Sequence, residues 1–313
     1  MKAAILAAFF MESINQKIDF AFSNNIELYI KREDLLHPII SGNKYRKLKY
    51  NIMEAKKSGY YTLLTFGGAF SNHILAVAGA GKEFGFSTIG VIRGDELENK
   101  IIDNPTLSKA KEFGMQFYFV DRTVYRDKED PFFLQRLREI FGDFYLIPEG
   151  GTNLFAIKGC EEILTDYDKD FFTHITTAVG TGGTFSGLIN SSRASQNLIG
   201  FSSLKGSFLS EVIRNFVSKN NWKLDCEYHF GGYGKVSDEL ISFLNLFYKQ
   251  TSIPLDPVYT GKMVFGVIDK INKGYFPENS KILMIHTGGL QGIKGMNLAL
   301  EKKNKKILDY YEI

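Results

Sequence analysis

Cysteine is scarce: 313 residues hold two, Cys160 and Cys226. Two cysteines build no disulfide framework, and with no Cys/His cluster they suit no zinc site. They fit a reducing compartment, and a cytoplasmic setting is expected. The five histidines, His37, His73, His174, His229 and His286, have no ligand spacing, so no metal site is assigned. No apolar run approaches the ~20 residues of a membrane span. The opening MKAAILAAFFMES has a lysine and a short apolar run, but Phe9-Phe10-Met11-Glu12 makes a poor cleavage site. It reads as an ordinary N-terminus. The net charge of +3 comes with no long Lys/Arg block, which argues against nucleic acid as a partner. There is no nucleophile elbow G-x-S-x-G. Neither a Walker loop nor the G-x-G-x-x-G fingerprint is present. Internal repeats and low-complexity linkers are also missing.

What is present is an alternation. Apolar residues make up 44% of the chain, enough for a large core or two ordinary ones. Strands are expected at Glu27–Lys31, Thr62–Phe66, Ser87–Ile92, Gln116–Val120, Phe144–Ile147, Ile175–Val179, Leu198–Phe201, Cys226–Phe230 and Ile282–His286. Helices are expected over Asn43–Ala55, Asn72–Phe84, Leu107–Phe113, Pro131–Phe141 and Asn153–Leu164, with another after Thr184. Leu48, Ile52 and Ala55 show the helical spacing in the first of these. Such alternation predicts α/β architecture, a mostly parallel sheet with helices on both faces.

Four stretches can carry chemistry: SGNKYRKLKY (Ser41 to Tyr50), FGGAFSNH (Phe66 to His73), GTGGT (Gly180 to Thr184), and the late pair DPVYTGK and HTGG. Gly180, Thr181, Gly182, Gly183 and Thr184 follow an apolar strand and open a helix. The N–H groups at a helix start bind phosphate, and glycines allow close approach; equally, this is a tight turn with no ligand. Lys44 starts a helix beside Arg46, Lys47 and Lys49, a run that is usually a solvated basic face. Alternatively, Lys44, Lys47 and Leu48 share an inward side at i, i+3 and i+4. A lysine desolvated there becomes a nucleophile, and Lys47 could pair with a phosphate. Ser71 is a helix cap, or with Asn72 it faces a ligand. Tyr233 and Tyr259 are packed aromatics or site residues. His286-Thr287-Gly288-Gly289 is a strand end with a glycine turn. Phe66–Asn72, Gly180–Thr184 and His286–Gly289 all occupy carboxyl ends of strands, where α/β sheets bind ligands.

In this order, the motifs resemble those of the pyridoxal-phosphate (PLP) dependent 1-aminocyclopropane-1-carboxylate (ACC) deaminases and D-cysteine desulfhydrases. The similarity runs from about Ile30 to Asn297. It implies the two-domain fold type II architecture of the tryptophan-synthase-β kind, each domain a mostly parallel sheet flanked by helices. Residues 1–46 and 159–313 would form the larger PLP-binding domain, and 47–158 a smaller inserted one. Lys44 matches the Schiff-base lysine. Asn72 matches the asparagine beside the cofactor's phenolic oxygen, and Ser71 a serine near the substrate carboxylate or a proton carrier. Gly180 to Thr184 match the phosphate loop, with Lys47 as a second phosphate contact. Tyr233 and Tyr259 match two active-site tyrosines. A homodimer is expected by analogy.

Two positions separate the activities. ACC deaminases resemble Asp-Pro-Val-Tyr-Glu and His-Leu-Gly-Gly, whereas this chain has Thr260 and Thr287, as D-cysteine desulfhydrases do. Both threonines are expected near the cofactor ring nitrogen and the substrate. The expected activity is therefore that of a PLP-dependent lyase on a small amino acid. D-Cysteine leads, giving pyruvate, ammonia and hydrogen sulfide. ACC deamination to 2-oxobutanoate and ammonia is the alternative. A non-catalytic amino-acid or PLP binder is more remote, because Lys44, Ser71 and Tyr259 are all present. A nucleotide-binding enzyme is remote too, since the glycine loop fits neither nucleotide pattern.

Overall fold

The computed structural model describes residues 12–310. The reading of the opening segment therefore falls largely outside the described residues.

The chain begins with β1 (Asn15–Ile18), β2 (Glu27–Lys31) and α1 (Asn43–Lys57). It continues through β3 (Thr62–Gly67), α2 (Asn72–Phe84), β4 (Ser87–Arg93), α3 (Pro105–Glu112), β5 (Gln116–Val120), α4 (Pro131–Phe141) and β6 (Tyr145–Ile147). Next come α5 (Leu154–Cys160), α6 (Asp166–Phe171), β7 (His174–Val179), α7 (Gly183–Ser191), β8 (Asn197–Ser202), α8 (Leu209–Arg214) and β9 (Trp222–Asp225). The last elements are α9 (Asp238–Thr251), α10 (Thr260–Asn272), β10 (Lys281–Ile285) and α11 (Gly292–Glu301).

Two sheets result. One has the order β1-β2-β10-β7-β8-β9 and the other β5-β4-β3-β6. The second is parallel throughout, and the first is parallel except that β1 runs against β2. The α/β reading with mostly parallel sheets is thus met. Both faces are covered, which explains the unbroken apolar strands. In β3, Leu63 packs into one core and Leu64 into another on the opposite face. On the larger sheet, Met284 joins the core under α9 and α10, while Leu283 and Ile285 join the core on the other side. Each such side chain contributes about 1.5–3 kcal/mol when fully buried.

Two sequence expectations are corrected. No strand forms over Cys226–Phe230: the segment is a turn, and the strand lies four residues earlier at Trp222–Asp225. That earlier run already pairs with Leu198–Phe201 of β8, and Phe230 has φ +52, outside the strand region. The edge strand β1 was not anticipated. It is polar at Asn15, Gln16 and Lys17 and gives little periodic signal. The helix expected over Asn153–Leu164 is α5 followed by a short 3-10 turn, Glu161–Ile163.

The basic run Lys44–Lys49 is not a solvated face. Arg46, Lys47 and Lys49 are all buried. Arg46 Nε donates to Glu33 at 2.9 Å and Lys49 Nζ to Glu162 at 2.5 Å. The first two turns of α1 are therefore held by charge pairs to Glu33 and Glu162, beside the turn that meets the cleft. Among the described residues, no helix is long and apolar enough to cross a membrane.

Candidate active site

The carboxyl ends of β3, β6, β7 and β10 open on one cleft of about 520 Å³. Lys44, Lys47, Ser71, Asn72, Gly180, Thr181, Gly182, Thr184, Tyr233, Tyr259 and Thr287 all line it.

Lys44 lies in the first turn of α1, and its Nζ donates to Asn43 Oδ1 at 3.2 Å. Asn43 in turn donates to Thr184 Oγ1 at 2.8 Å, tying this turn to the glycine loop. Gly42 sets the approach. It has φ +62, and a Cβ there would lie 2.1 Å from the Thr287 carbonyl oxygen. Asn43 N–H donates to that same oxygen at 3.3 Å. Burial, then the nearby Lys47, push the Lys44 ammonium down to about 7. A large fraction of the amine is thus neutral and nucleophilic near neutrality.

One turn on, Lys47 Nζ donates to Gly150 O at 2.8 Å, Thr152 Oγ1 at 3.1 Å and Thr181 Oγ1 at 3.3 Å. Burial lowers it to about 8. It stands against the start of α7, 3.2 Å from where a Gly183 Cβ would be. Gly182 has φ +84 and places the first-turn N–H groups of α7 toward the cleft. Helix terminus, hydroxyls and ammonium together make an anion site of the size and polarity a phosphate needs. With the neutral amine of Lys44 in the same cleft, the residues fit a phosphate-bearing aldehyde such as PLP.

Ser71 caps α2, its Oγ accepting the Ile74 N–H at 3.3 Å. It also lines the cleft, so capping and facing a ligand are compatible. Asn72 packs against the loop after β10, 2.8 Å from a Cβ placed on Gly289. Tyr259 lies over Gly180, and its ring stands 6.0 Å from that of Tyr233. Burial, then Tyr233, hold the Tyr259 phenol well above its ordinary value. Burial likewise raises Tyr233. Both are neutral donors at neutral pH. Thr260 sits one layer back. It is fully buried and does not line the cleft; its hydroxyl meets that of Thr287 at 3.3 Å. Asp256 caps this corner, taking the N–H groups of Tyr259 at 2.7 Å and Thr260 at 2.8 Å.

The cleft also holds residues that were not singled out: His73, Arg93, Glu149 and Gly150. His73 Nε2 meets Thr65 Oγ1 at 2.9 Å, and that hydroxyl donates to Ile147 O. With that hydroxyl donating to Ile147, Thr65 can accept from Nε2, and among the described residues the buried Nδ1 has no hydrogen-bond partner. Burial, then Lys44 and Lys47, push His73 well below its usual value. A signal existed for Glu149 and Gly150. Glu149-Gly150-Gly151-Thr152 follows β6 as a further strand-end glycine turn of the kind recognised elsewhere. Among the described residues, no group of three or more His, Cys, Asp or Glu is placed to hold a metal ion.

Comparison with known proteins agrees with this chemistry. A family model described as "Pyridoxal-phosphate dependent enzyme" matches residues 19–288. A protein from Pyrococcus abyssi, provisionally named a 1-aminocyclopropane-1-carboxylate deaminase, is 32% identical over 288 residues, covering 86% of each chain. A D-cysteine desulfhydrase from Serratia proteamaculans is 26% identical over 84% of this chain and 86% of its own. The crystal structure of an ACC deaminase homologue superposes with a TM-score of 0.75 at 28% identity, covering 93% of this chain and 95% of that one. The chain thus belongs to the pyridoxal-phosphate dependent enzymes, as a fold type II lyase of the group that holds ACC deaminases and D-cysteine desulfhydrases, with pyridoxal 5'-phosphate as its cofactor.

Proposed function

We propose that the enzyme eliminates thiol from D-cysteine: D-cysteine and water give pyruvate, ammonia and hydrogen sulfide. The observation that carries this reading is the hydroxyl pair of Thr260 and Thr287, 3.3 Å apart behind and along the cleft wall. By resemblance, ACC deaminases carry a carboxylate and an apolar side chain at these positions. A carboxylate near a pyridine nitrogen favours its protonation, and the stronger electron sink suits a substrate without an α-proton. A neutral pair suits a substrate that has both an α-proton and a good leaving group.

When bound, PLP supplies the electron sink for the pair left at the substrate α-carbon. The α7 terminus and Lys47 would hold its phosphate, and Lys44 its aldehyde. Asn72 would orient the ring from beside its phenolic oxygen. Lys44 Nζ, a neutral amine in the cleft, would serve as the base for the substrate α-proton. The Ser71 hydroxyl orients the substrate carboxylate. Tyr259, a phenol kept protonated by burial, gives a proton to the departing sulfur, with Tyr233 closing the outer side. Residues 47–158, which contain the whole four-stranded sheet, form the smaller domain of this reading. A homodimer belongs to it by analogy, and a cytoplasmic setting is supported by the free Cys160 and Cys226.

The test is a product screen on the holoenzyme with D- and L-amino acids and ACC. The expected result is pyruvate and sulfide from D-cysteine, at higher kcat/KM than 2-oxobutanoate from ACC. Thr260→Glu with Thr287→Leu should move that ratio toward ACC, since specificity is differential transition-state stabilisation. Thermal unfolding of the variant is recorded alongside, because the new carboxylate would lie beside Asp256. Efficient turnover of ACC with none of D-cysteine overturns the reading.

A further inference from the structure

The segment 226–234, which forms no strand, is laid along α10 instead, in a ladder of contacts at helical steps. At the foot, Lys270 pairs with Asp225 at 2.7 Å. Tyr228 donates its hydroxyl to Asp269 Oδ2 at 2.7 Å. Phe230 meets Phe265 edge-on, ring centres 5.0 Å apart. Lys262 Nζ donates to His229 O and to Gly232 O, both at 2.9 Å. At the top, Tyr233 lies against Tyr259. Positions 262, 265 and 269 fall on one face of a helix, so one stripe of α10 carries the three middle rungs, with Tyr259 just before the helix and Lys270 beside the stripe.

The rungs differ in kind. The aromatic contacts can slide; the lysine pair cannot. Lys262 is 1% exposed, and an ammonium in such a place needs acceptors. It finds them in two carbonyls that bracket Phe230 and Gly231. Phe230, Gly231, Gly232 and Gly234 all have positive φ, a conformation that no repeating ladder supports. The turn's own bonds are few: Gly232 N–H to His229 O at 3.0 Å, Lys235 N–H to Gly232 O at 3.1 Å, and Gly231 N–H to His229 Nδ1 at 2.9 Å. Tyr233 follows at once and is 48% exposed as a whole, only its phenol end being desolvated in the cleft, so packing of its own side chain does little to hold it there.

We propose that Lys262 is a positioning residue: it clamps the 229–232 turn onto α10 and thereby holds Tyr233 over the cleft beside Tyr259. The clamp needs the charged amine, whose hydrogen bonds to neutral carbonyls are of the stronger kind. Burial lowers Lys262 to about 8, with the nearby Asp256 pulling the other way. This role rests on the reading of Tyr233 as a site residue; the clamp itself does not.

The experiment has two parts, both on the holoenzyme. Amide hydrogen exchange over 229–235 is compared in wild type and Lys262→Met. Exchange should quicken about tenfold or more, the scale of one lost charge-assisted hydrogen bond, while exchange within β7 and β10 stays as it was. Lys262→Gln keeps an N–H donor and should fall between the two; it carries the test if the methionine variant does not fold. Turnover is then measured for Lys262→Met, Tyr233→Ala and the pair. If Lys262 acts through Tyr233, the methionine penalty in kcat/KM shrinks to below about twofold once Tyr233 is gone, the mark of coupled sites. Unchanged exchange over 229–235 overturns the clamp. An undiminished penalty in the Tyr233→Ala background overturns its action through Tyr233. Faster exchange with Tyr233→Ala fully active would keep the clamp and remove Tyr233 from the catalytic reading.

Discussion

Lys44 differs from its basic neighbours by environment. Arg46, Lys47 and Lys49 all bond to oxygen acceptors outside α1, whereas among the described residues Lys44 bonds only to the adjacent Asn43. Borohydride reduction of the yellow holoprotein should therefore fix the cofactor on a peptide with the added mass at Lys44. Mass spectrometry finding it on Lys47 or Lys49 would sink the assignment. Tyr259→Phe removes one hydroxyl and leaves the ring against Gly180, so bound cofactor should persist. Elimination should fall ~100- to 10,000-fold, the range of a general acid or base. Unchanged turnover would reduce Tyr259 to packing. At this scale the sequence was most legible where function needs an unusual local pattern. A lysine after Gly-Asn at a helix start and glycines at a strand end are visible without a fold. Arg93 was not, and His73, though it ends the Phe66–His73 stretch, was given no role of its own, because a histidine inside a helix and an arginine at a strand end look the same in any α/β protein. Only the fold brings them to the cleft. Thr260 shows the opposite limit. Its position in the motif was plain, but its place one layer behind Thr287 depends on how α10 packs.

The site is assembled where elements meet, and the start of α1 meets the loop after β10 closely. Any side chain at position 42 would have to displace the Thr287 backbone, and φ +62 is unfavourable to a Cβ as well. Gly42→Ala should cost at least the roughly 1–3 kcal/mol of a strained residue. The thermal midpoint should fall by a few degrees, and the Lys44 turn should shift. Cofactor retained after dialysis should drop with it. A variant with wild-type midpoint and full cofactor content would show that the junction yields easily. Element identity was readable wherever an apolar run had one structural use. β3, β4 and β10 are covered on both faces, and their Leu, Ile and Val residues say so. It failed at Cys226–Phe230, where aromatic residues suited a strand equally well. Those residues serve to dock a turn on α10, a use that local periodicity does not encode.

For the molecule as a whole, burying so many basic groups has a consequence in pH. Burial lowers Lys44 to about 7, and Lys47 and Lys262 to about 8. In the unfolded chain a lysine keeps its proton up to about 10.4. Between these values the unfolded state binds more protons than the folded one, so stability rises with pH across that window. Two histidines act in the same sense at lower pH. His73 is held well below its usual value, and His174 is lowered to about 4; folding therefore gains as pH rises toward the unfolded histidine value near 6.5. Asp256, raised by burial, acts in the opposite sense. Above pH 10 the sign reverses. Burial raises Tyr45, Tyr50 and Tyr145 to about 12, and Tyr259 well above its usual value. Unfolded tyrosines ionise first, so rising pH then favours unfolding. The apoprotein should thus have its highest thermal midpoint at about pH 9 to 10 rather than at neutrality. In the apoprotein, Lys44→Met should flatten the rise between pH 7 and 10, because it removes the most strongly lowered lysine. The holoenzyme, with Lys44 engaged by the cofactor, should show a shallower rise than the apoprotein. A midpoint that peaks at or below pH 7 in the apoprotein would mean that the three amines keep their protons in the fold, and the neutral, nucleophilic Lys44 on which the catalytic reading depends would go with it.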